Sequence, residues 1–185
     1  MKRKMKNRAV FLDRDGVLSA SMIINGKLIA PQRLEDFQIF PEAILVTKKL
    51  KKAGFILVVV TNQPDVARGF PSEKTVEQMH EQMFSVMPLD RIEVCYHLDE
   101  HQCSCRKPKP AMLLRAAQEL DIDLQQSFMV GDRWRDIEAG QNAGCKTIWL
   151  KQDIEEKKPQ SPDMIVNTLE EACDWIMEEA QRNRQ

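Results

Sequence analysis

Short apolar runs and stretches of helical hydrophobic spacing alternate along the chain. Five of the runs have the length and apolar content of buried parallel strands. They cover 9–12, 55–60, 92–97, 127–130 and 146–150, and a further run at 164–166 is a candidate edge strand. Hydrophobic residues at helical spacing predict helices over 41–53, 72–87, 109–120, 136–143 and 169–180. Strands that alternate with helices predict an α/β fold with a parallel sheet and right-handed crossovers.

The segment between the first strand and the first helix contains a candidate hairpin. Asn25-Gly26 is a hairpin-turn signal, and the apolar triplets 22–24 and 27–29 flank it. Because the segment directly follows the first strand, it is either a small flap over a site at the end of that strand or a plain connection.

The second predicted helix has a methionine-rich side. Met79, Met83, Val86 and Met87 lie on it, and a stripe facing the core is favoured over a partner-binding surface. His80, in the middle of this helix, is predicted to be a surface or packing residue rather than a metal ligand.

Length and charge restrict the class of protein. A chain of 185 residues favours one domain over 1–185, with a sizeable core. Because 27 Lys and Arg nearly balance 28 Asp and Glu, the charge indicates neither nucleic acid nor a membrane as partner.

We expect a frayed terminus over 1–7 and a loop over 152–162. No apolar run is long enough for a signal peptide or a bilayer span, so the expected location is cytoplasmic; a monomer is favoured.

Polar side chains gather where three of the predicted strands end. They are Asp13, Asp15, Thr61, Asn62, Asp132 and Asp136. Because the carboxyl ends of parallel strands lie at one edge of the sheet, these side chains are expected to share one crevice. Converging carboxylates repel each other unless a cation joins them, and carboxylate oxygens favour a hard divalent cation, foremost Mg²⁺.

A pair of cations belongs to the same predicted site. Arg106 and Lys107 stand just before a predicted helix, and together with Thr61 they indicate an anionic oxygen cluster, most simply a phosphoryl group. The Gly-rich phosphate loops of nucleotide-binding proteins are absent from the sequence, which argues against a nucleotide-driven kinase.

Two closely spaced pairs of soft ligands predict a zinc site over 95–105. They are Cys95-x-His97 and Cys103-x-Cys105, a Cys₃His set suited to tetrahedral structural Zn²⁺. His101 is an alternative fourth ligand, but the spacing favours His97. The remaining cysteines, 145 and 173, are interpreted as small apolar core residues.

Four motifs in order resemble those of haloacid dehalogenase (HAD) superfamily phosphatases. They are DRDG at 13–16, VVTNQ at 59–63, RKP at 106–108 and GDRWRD at 131–136. The sequence is most similar to the D-glycero-D-manno-heptose 1,7-bisphosphate phosphatase group, with the histidinol-phosphatase domain as a near relative. The resemblance implies a Rossmann-like, doubly wound sheet in three layers, with a minimal cap and a zinc-binding loop.

The resemblance also implies a role for each residue at the crevice. Asp13 would be the nucleophile and Asp15 the general acid and base, while Thr61 and Lys107 would hold the phosphoryl oxygens. Mg²⁺ would be bound by Asp13, the backbone carbonyl of Asp15, and Asp132, with Asp136 orienting the metal shell or the lysine. The expected substrate-binding residues are Asn62, Gln63, Arg106 and Arg133.

We therefore expect a Mg²⁺-dependent phosphomonoester hydrolase that acts through an aspartyl-phosphate on heptose 1,7-bisphosphate or a similar small sugar phosphate. The alternatives are histidinol phosphate or another metabolite, a polynucleotide 3′-phosphatase, and a non-catalytic phosphate-binding module. Balanced charge disfavours the polynucleotide, and the complete catalytic set disfavours the non-catalytic module. Pro64-Asp65-Val66 replaces the Ser-Gly-Ile of this group, and Arg133 replaces a lysine; both differences bear on substrate choice.

Overall fold

A computed structural model describes residues 6–24, 27–152 and 156–182 of the chain. The strands are β1 (Ala9–Leu12), β2 (Met22–Ile24), β3 (Lys27–Ile29), β4 (Ile56–Asn62), β5 (Arg91–Cys95), β6 (Phe128–Gly131), β7 (Lys146–Leu150) and β8 (Met164–Val166). The helices are α1 (Pro41–Lys52), α2 (Glu73–Val86), α3 (Ala111–Glu119), α4 (Trp134–Ala143) and α5 (Leu169–Arg182). Most of the predicted frayed terminus and the predicted hairpin turn at Asn25-Gly26 lie outside the described residues.

Six strands form one parallel sheet, as the sequence predicts. Their order is β5-β4-β1-β6-β7-β8, and every neighbouring pair is parallel. The strand β1 is therefore central, between β4 and β6, while β8 lies at an edge as expected. This order brings the carboxyl ends of β1, β4 and β6 side by side, which is the usual place for a ligand site in such a sheet.

The core divides into two apolar clusters, one on each face of the sheet. In β1, Val10 and Leu12 pack with α1, α2 and α5, while Ala9 and Phe11 pack with α3 and α4. Because successive side chains of a strand point to opposite faces, one short apolar strand contributes to both clusters. The arrangement confirms the doubly wound, three-layer α/β fold.

Three strands and helices begin or end at residues other than those predicted from the sequence. The strand β4 runs on to Asn62 because parallel pairing with β5 continues through Thr61 and Asn62. The strand β5 stops at Cys95, so His97 lies beyond it. The helix α4 begins at Trp134, two residues early, because the Asp136 carboxylate accepts a hydrogen bond from the Arg133 N–H at 2.9 Å.

The methionine side of α2 is mostly core. Met79, Met83 and Met87 are buried, which confirms the predicted stripe, but Val86 is 39% exposed. The expectation for Val86 was wrong because it lies off the face that contacts the sheet.

The hairpin strands β2 and β3 pair antiparallel as predicted. Within the described ranges, no helix is both long enough and apolar enough to cross a membrane.

Candidate active site

The adjoining ends of β1, β4 and β6 open into a cavity of about 330 Å³. Most of the predicted site residues line it: Asp13, Asp15, Thr61, Asn62, Arg106, Lys107, Arg133 and Asp136. Asp132 and Gln63 lie deeper and are each 2% exposed. Ile29 at the end of β3 and the adjacent Ala30 also line the cavity, which favours the flap interpretation of the hairpin over a plain connection.

Lys107 is the buried cation at the floor of the cavity. Its Nζ lies 2.8 Å from Asp13 Oδ1 and 2.6 Å from Asp136 Oδ1, and it donates to the Val60 carbonyl at 2.7 Å. Burial alone would lower the pKa of Lys107, but the two carboxylates raise it above its ordinary value, so the amine stays protonated. A fixed positive charge therefore stands beside the predicted nucleophile.

Hydrogen bonds fix the position of the Asp13 carboxylate, but the cations around it do not fully compensate its negative charge. Its Oδ1 accepts hydrogen bonds from Lys107 Nζ and from the Arg14 N–H, each at 2.8 Å. Burial and repulsion by Asp136 raise the pKa of Asp13 from 3.8 to about 6, although Lys107 opposes the shift. One lysine does not balance the carboxylates that meet here.

Asp132 is the clearest indication that the site binds a cation. Among the described residues, neither of its buried carboxylate oxygens has a hydrogen-bond partner. Burial and repulsion by Asp13 and Asp136 raise the pKa of Asp132 well above its usual range. Since buried polar groups are almost always satisfied, these orphaned oxygens point to a ligand that is a cation.

The arrangement of the carboxylates fits a divalent cation. One oxygen from each of Asp13, Asp132 and Asp136 lies within 4.8 Å of the others. Gly16 makes room for this cluster, because a Cβ there would lie 2.2 Å from Asp132 Oδ2, and its φ of +90° also favours glycine. Hard divalent cations take such carboxylate oxygens.

Asp15 occupies a different environment from its two acidic neighbours. The Arg14 Nε–H donates to both of its carboxylate oxygens at 3.1 Å. Gln63 Nε2 donates to Asp15 Oδ2 at 2.7 Å, and the Ser19 hydroxyl donates to Oδ1 at 3.3 Å. This carboxylate is thus paired and oriented at the wall of the cavity.

Asn62 and Gln63 bond to other site residues. Asn62 pairs with both backbone groups of Lys107: Nδ2 donates to the carbonyl at 3.2 Å, and Oδ1 accepts from the N–H at 3.1 Å. Gln63 Nε2 donates to Asp15 Oδ2 and also to the hydroxyl oxygen of Thr61, at 2.9 Å. It therefore bridges these two residues. Their predicted role as substrate-binding residues stays a prediction; in the structure their amides bind groups that line the cavity.

The rim of the cavity is rich in arginine, and one member was missed by the sequence reasoning. Arg135 lines the cavity beside Arg106 and Arg133. Asp99, on the loop after β5, accepts from Arg106 Nε at 2.7 Å and from Arg135 Nη1 at 3.2 Å. Arg135 lies inside the GDRWRD motif. A positive charge at a helix start next to Asp136 is the sequence feature that could have identified it as a site residue.

The four predicted zinc ligands converge on the loop between β5 and α3. Among Cys95, Cys103 and Cys105 the Sγ–Sγ distances are 3.1–3.7 Å, and His97 Nδ1 lies 3.3 Å from Cys105 Sγ. A tetrahedron with Zn–S bonds of about 2.3 Å has edges of about 3.8 Å, so the set is close to zinc geometry. His101 Nδ1 instead accepts from the Leu98 N–H at 3.1 Å.

Comparisons with known proteins agree with this geometry. A HAD-hydrolase-like family model matches residues 104–172. The D-glycero-beta-D-manno-heptose-1,7-bisphosphate 7-phosphatase of Helicobacter pylori is 38% identical over 176 residues, 92% of this chain and 97% of that protein. The alpha-heptose counterpart of Campylobacter jejuni is 35% identical over 159 residues, 83% and 87% of the two chains.

Solved structures give the same result for the fold. The D,D-heptose 1,7-bisphosphate phosphatase of B. bronchiseptica, crystallised with magnesium and phosphate, has a TM-score of 0.76 and 25% identity; the match covers 94% of this chain and 99% of that one. The resemblance seen in the four motifs is thereby confirmed. The chain belongs to the HAD-like hydrolases, in the family of the heptose 1,7-bisphosphate phosphatases.

Proposed function

We propose that this protein is a Mg²⁺-dependent phosphomonoester hydrolase that removes a phosphate from heptose 1,7-bisphosphate or a similar sugar phosphate. The observation that carries the proposal is the contrast between two buried carboxylates at the sheet edge. Asp13 is fixed by Lys107 at 2.8 Å, whereas Asp132 has no hydrogen-bond partner among the described residues. A nucleophile beside a carboxylate that can bind a divalent cation suits phosphoryl transfer.

Asp13 is the nucleophile in this proposal. A carboxylate oxygen attacks phosphorus, the bond from phosphorus to the ester oxygen breaks, and an aspartyl-phosphate forms. Asp15 gives its proton to the departing alkoxide, then takes a proton from the water that attacks the aspartyl-phosphate and releases inorganic phosphate. The Thr61 hydroxyl and Lys107 Nζ hold the phosphoryl oxygens; the lysine is already aimed at the reacting oxygen.

The cation site completes the charge balance. Asp13, Asp132 and the backbone carbonyl of Asp15 would hold Mg²⁺, and the bound ion would supply positive charge that reduces repulsion between the nucleophile and the phosphate. Asp136 is assigned to the lysine instead, since its Oδ1 lies 2.6 Å from Lys107 Nζ and its Oδ2 accepts from the Arg133 N–H.

The zinc loop would fix part of the rim. Cys95, His97, Cys103 and Cys105 would hold structural Zn²⁺, and Cys105 directly precedes Arg106 and Lys107 in the chain. Arg106 Nη1 also donates to the His97 carbonyl at 3.2 Å. A bound zinc ion would therefore set where the rim arginine and the catalytic lysine enter the cavity.

Three rim arginines support a substrate with a second anionic group. Arg106, Arg133 and Arg135 all line the cavity, and guanidinium groups bind phosphate through paired hydrogen bonds. The named relatives include enzymes for both the beta and the alpha anomer, so either anomer is a candidate substrate.

A substrate panel tests the proposal. The purified protein with Mg²⁺ is given both anomers of heptose 1,7-bisphosphate, a sugar monophosphate, histidinol phosphate and a 3′-phosphorylated oligonucleotide, and phosphate release is measured. We expect the sugar bisphosphate to have the highest kcat/KM, and Asp13→Asn to abolish release from every ester. A preference for histidinol phosphate or the oligonucleotide would refute the substrate class, and full activity of Asp13→Asn would refute the mechanism.

A further inference from the structure

A buried histidine on α2 lies behind the active site. His80 is 9% exposed, and its Nε2 lies 3.3 Å from Arg14 Nη1. Arg14 stands between the two aspartates of the DRDG motif and is fully buried. His80 touches neither the cavity nor the cation site, so the chemistry proposed above gives it no role.

The contact defines the protonation state of His80. Arginine is only a donor, so Nε2 must accept from Arg14 Nη1, and the neutral ring then carries its proton on Nδ1. Burial, and secondarily the Arg14 charge, lower the pKa of His80 to about 4, which agrees with a neutral ring. The histidine is thus a fixed acceptor for the guanidinium.

The other end of the guanidinium holds Asp15. Arg14 Nε donates to both carboxylate oxygens at 3.1 Å, and Nη2 forms an ion pair with Oδ2 at 3.0 Å without a hydrogen bond. The Phe37 ring lies 5.4 Å from the guanidinium carbon, and Met79 Sδ lies 4.0 Å from Nη1. Phe37 and Met79 supply packing, whereas His80 Nε2 supplies the hydrogen-bond acceptor for Nη1 on the side of the group away from Asp15.

We propose that Arg14 and His80 are positioning residues for Asp15: His80 fixes the arginine fork, and the fork fixes the carboxyl that exchanges a proton with the leaving group. This inference rests on the proposed phosphatase function. It connects α2 to the acid–base group through a buried contact and a partly buried one, and neither Arg14 nor His80 lines the cavity.

The leaving group provides a readout that packing alone does not affect. A sugar alkoxide needs a proton as it departs, whereas 4-nitrophenolate is a stable anion and departs without one. The value of kcat/KM covers only steps up to ester cleavage, so the later attack of water does not obscure the comparison. A misplaced Asp15 should lower kcat/KM for the sugar ester far more than for the aryl ester.

The experiment compares three substitutions on α2. His80→Leu removes the acceptor, His80→Gln restores one near the Nε2 position, and Met83→Leu changes a buried apolar residue of the same helix that belongs to the hydrophobic cluster. Each variant is assayed with the sugar phosphate that the wild type hydrolyses best and with 4-nitrophenyl phosphate.

We expect His80→Leu to lower kcat/KM about tenfold to a hundredfold for the sugar phosphate and less than about threefold for the aryl phosphate. His80→Gln should recover most of the loss, and Met83→Leu should match the wild type. Arg14→Lys, which keeps the charge but loses the fork, should show the same selectivity and serves if His80→Leu does not fold.

Equal losses on both esters, or no loss in His80→Leu and Arg14→Lys, would overturn the positioning role while leaving the phosphatase function intact. A wild-type protein that cleaves neither ester with Mg²⁺ present would overturn the proposed function, and this inference with it.

Discussion

Asp132 is the residue whose substitution should separate stability from activity. Its buried carboxylate oxygens have no hydrogen-bond partner among the described residues, and Asp13 and Asp136 repel it. In metal-free protein at about pH 7.5, we expect Asp132→Asn to raise the free energy of unfolding, since it removes a buried carboxylate whose burial and repulsion by Asp13 and Asp136 outweigh the attraction of Arg133 and Lys107. The same change should abolish Mg²⁺-dependent turnover.

The raised pKa of Asp13 gives the scale of the expected change in the free energy of unfolding. Its pKa is about 6 in the folded protein against 3.8 ordinarily, and at about 1.4 kcal/mol per pKa unit its ionisation costs about 3 kcal/mol at neutral pH. Burial and repulsion by Asp13 and Asp136 shift the pKa of Asp132 in the same direction. Set against that figure, an asparagine amide without partners costs about 1–3 kcal/mol, so the net gain is at most about 2 kcal/mol. For a chain of this size, that gain raises Tm by at most about 8 °C.

Thermal unfolding in EDTA at about pH 5 and about pH 7.5 measures the effect. A carboxyl whose pKa is raised by folding binds more protons in the folded state than in the unfolded state. Its stabilising contribution is complete below about pH 4 and is lost as the pH rises through about 6. The wild type should therefore lose stability between the two conditions, and Asp132→Asn should lose less; added Mg²⁺ should stabilise the wild type only.

Asp15→Asn is the matched control, because that carboxylate has a buried cationic partner in Arg14. Breaking the pair should destabilise the protein by about 3–5 kcal/mol. The reasoning fails if Asp132→Asn unfolds at a lower temperature than the wild type in EDTA at about pH 7.5, or if both variants shift in the same direction.

Three other changes test separate parts of the site. Lys107→Met should lower kcat by about 10²–10³-fold in steady-state assays, because the donor to the nucleophile and phosphate is lost; a fall below about threefold would contradict its role. Gly16→Ala should raise the Mg²⁺ concentration needed for half-maximal activity, because a Cβ would lie 2.2 Å from a carboxylate oxygen of the cation site. Gly54→Ala is its control: φ is +89° with no described atom within 4 Å, so about 1–2 kcal/mol of stability is lost and the Mg²⁺ requirement is unchanged. Cys103→Ser with Cys105→Ser should reduce zinc by elemental analysis from about one ion per chain to none; unchanged zinc would reject the ligand set.

The sequence was informative where the structure depends on short-range pattern. The apolar run at 9–12 predicts β1 to the residue because a strand buried on both faces has no polar positions. Parallel topology then brings Asp13, Thr61 and Asp132 to one edge of the sheet. The Cys95 and His97 spacing likewise predicts a cluster that needs only local backbone geometry.

The hydrogen-bond partners of individual side chains could not be predicted in the same way. Asn62 and Gln63 follow a strand end as ligand-binding residues would, and only the three-dimensional structure shows their amides joined to Lys107, Asp15 and Thr61. His80 has the spacing of a packing residue on α2. Its contact with a guanidinium depends on how that helix packs beneath the DRDG turn, which no local pattern encodes.

The two hydrogen bonds between Asn62 and the backbone of Lys107 have a consequence for redesigning the enzyme. They fasten the loop that carries the lysine to the end of β4, so the position of Lys107 does not depend on the rim. The rim arginines Arg106 and Arg135 are held by Asp99, an exposed residue on a loop. New substrate preferences can therefore be sought by diversifying the rim, in libraries that leave the reaction centre unaltered.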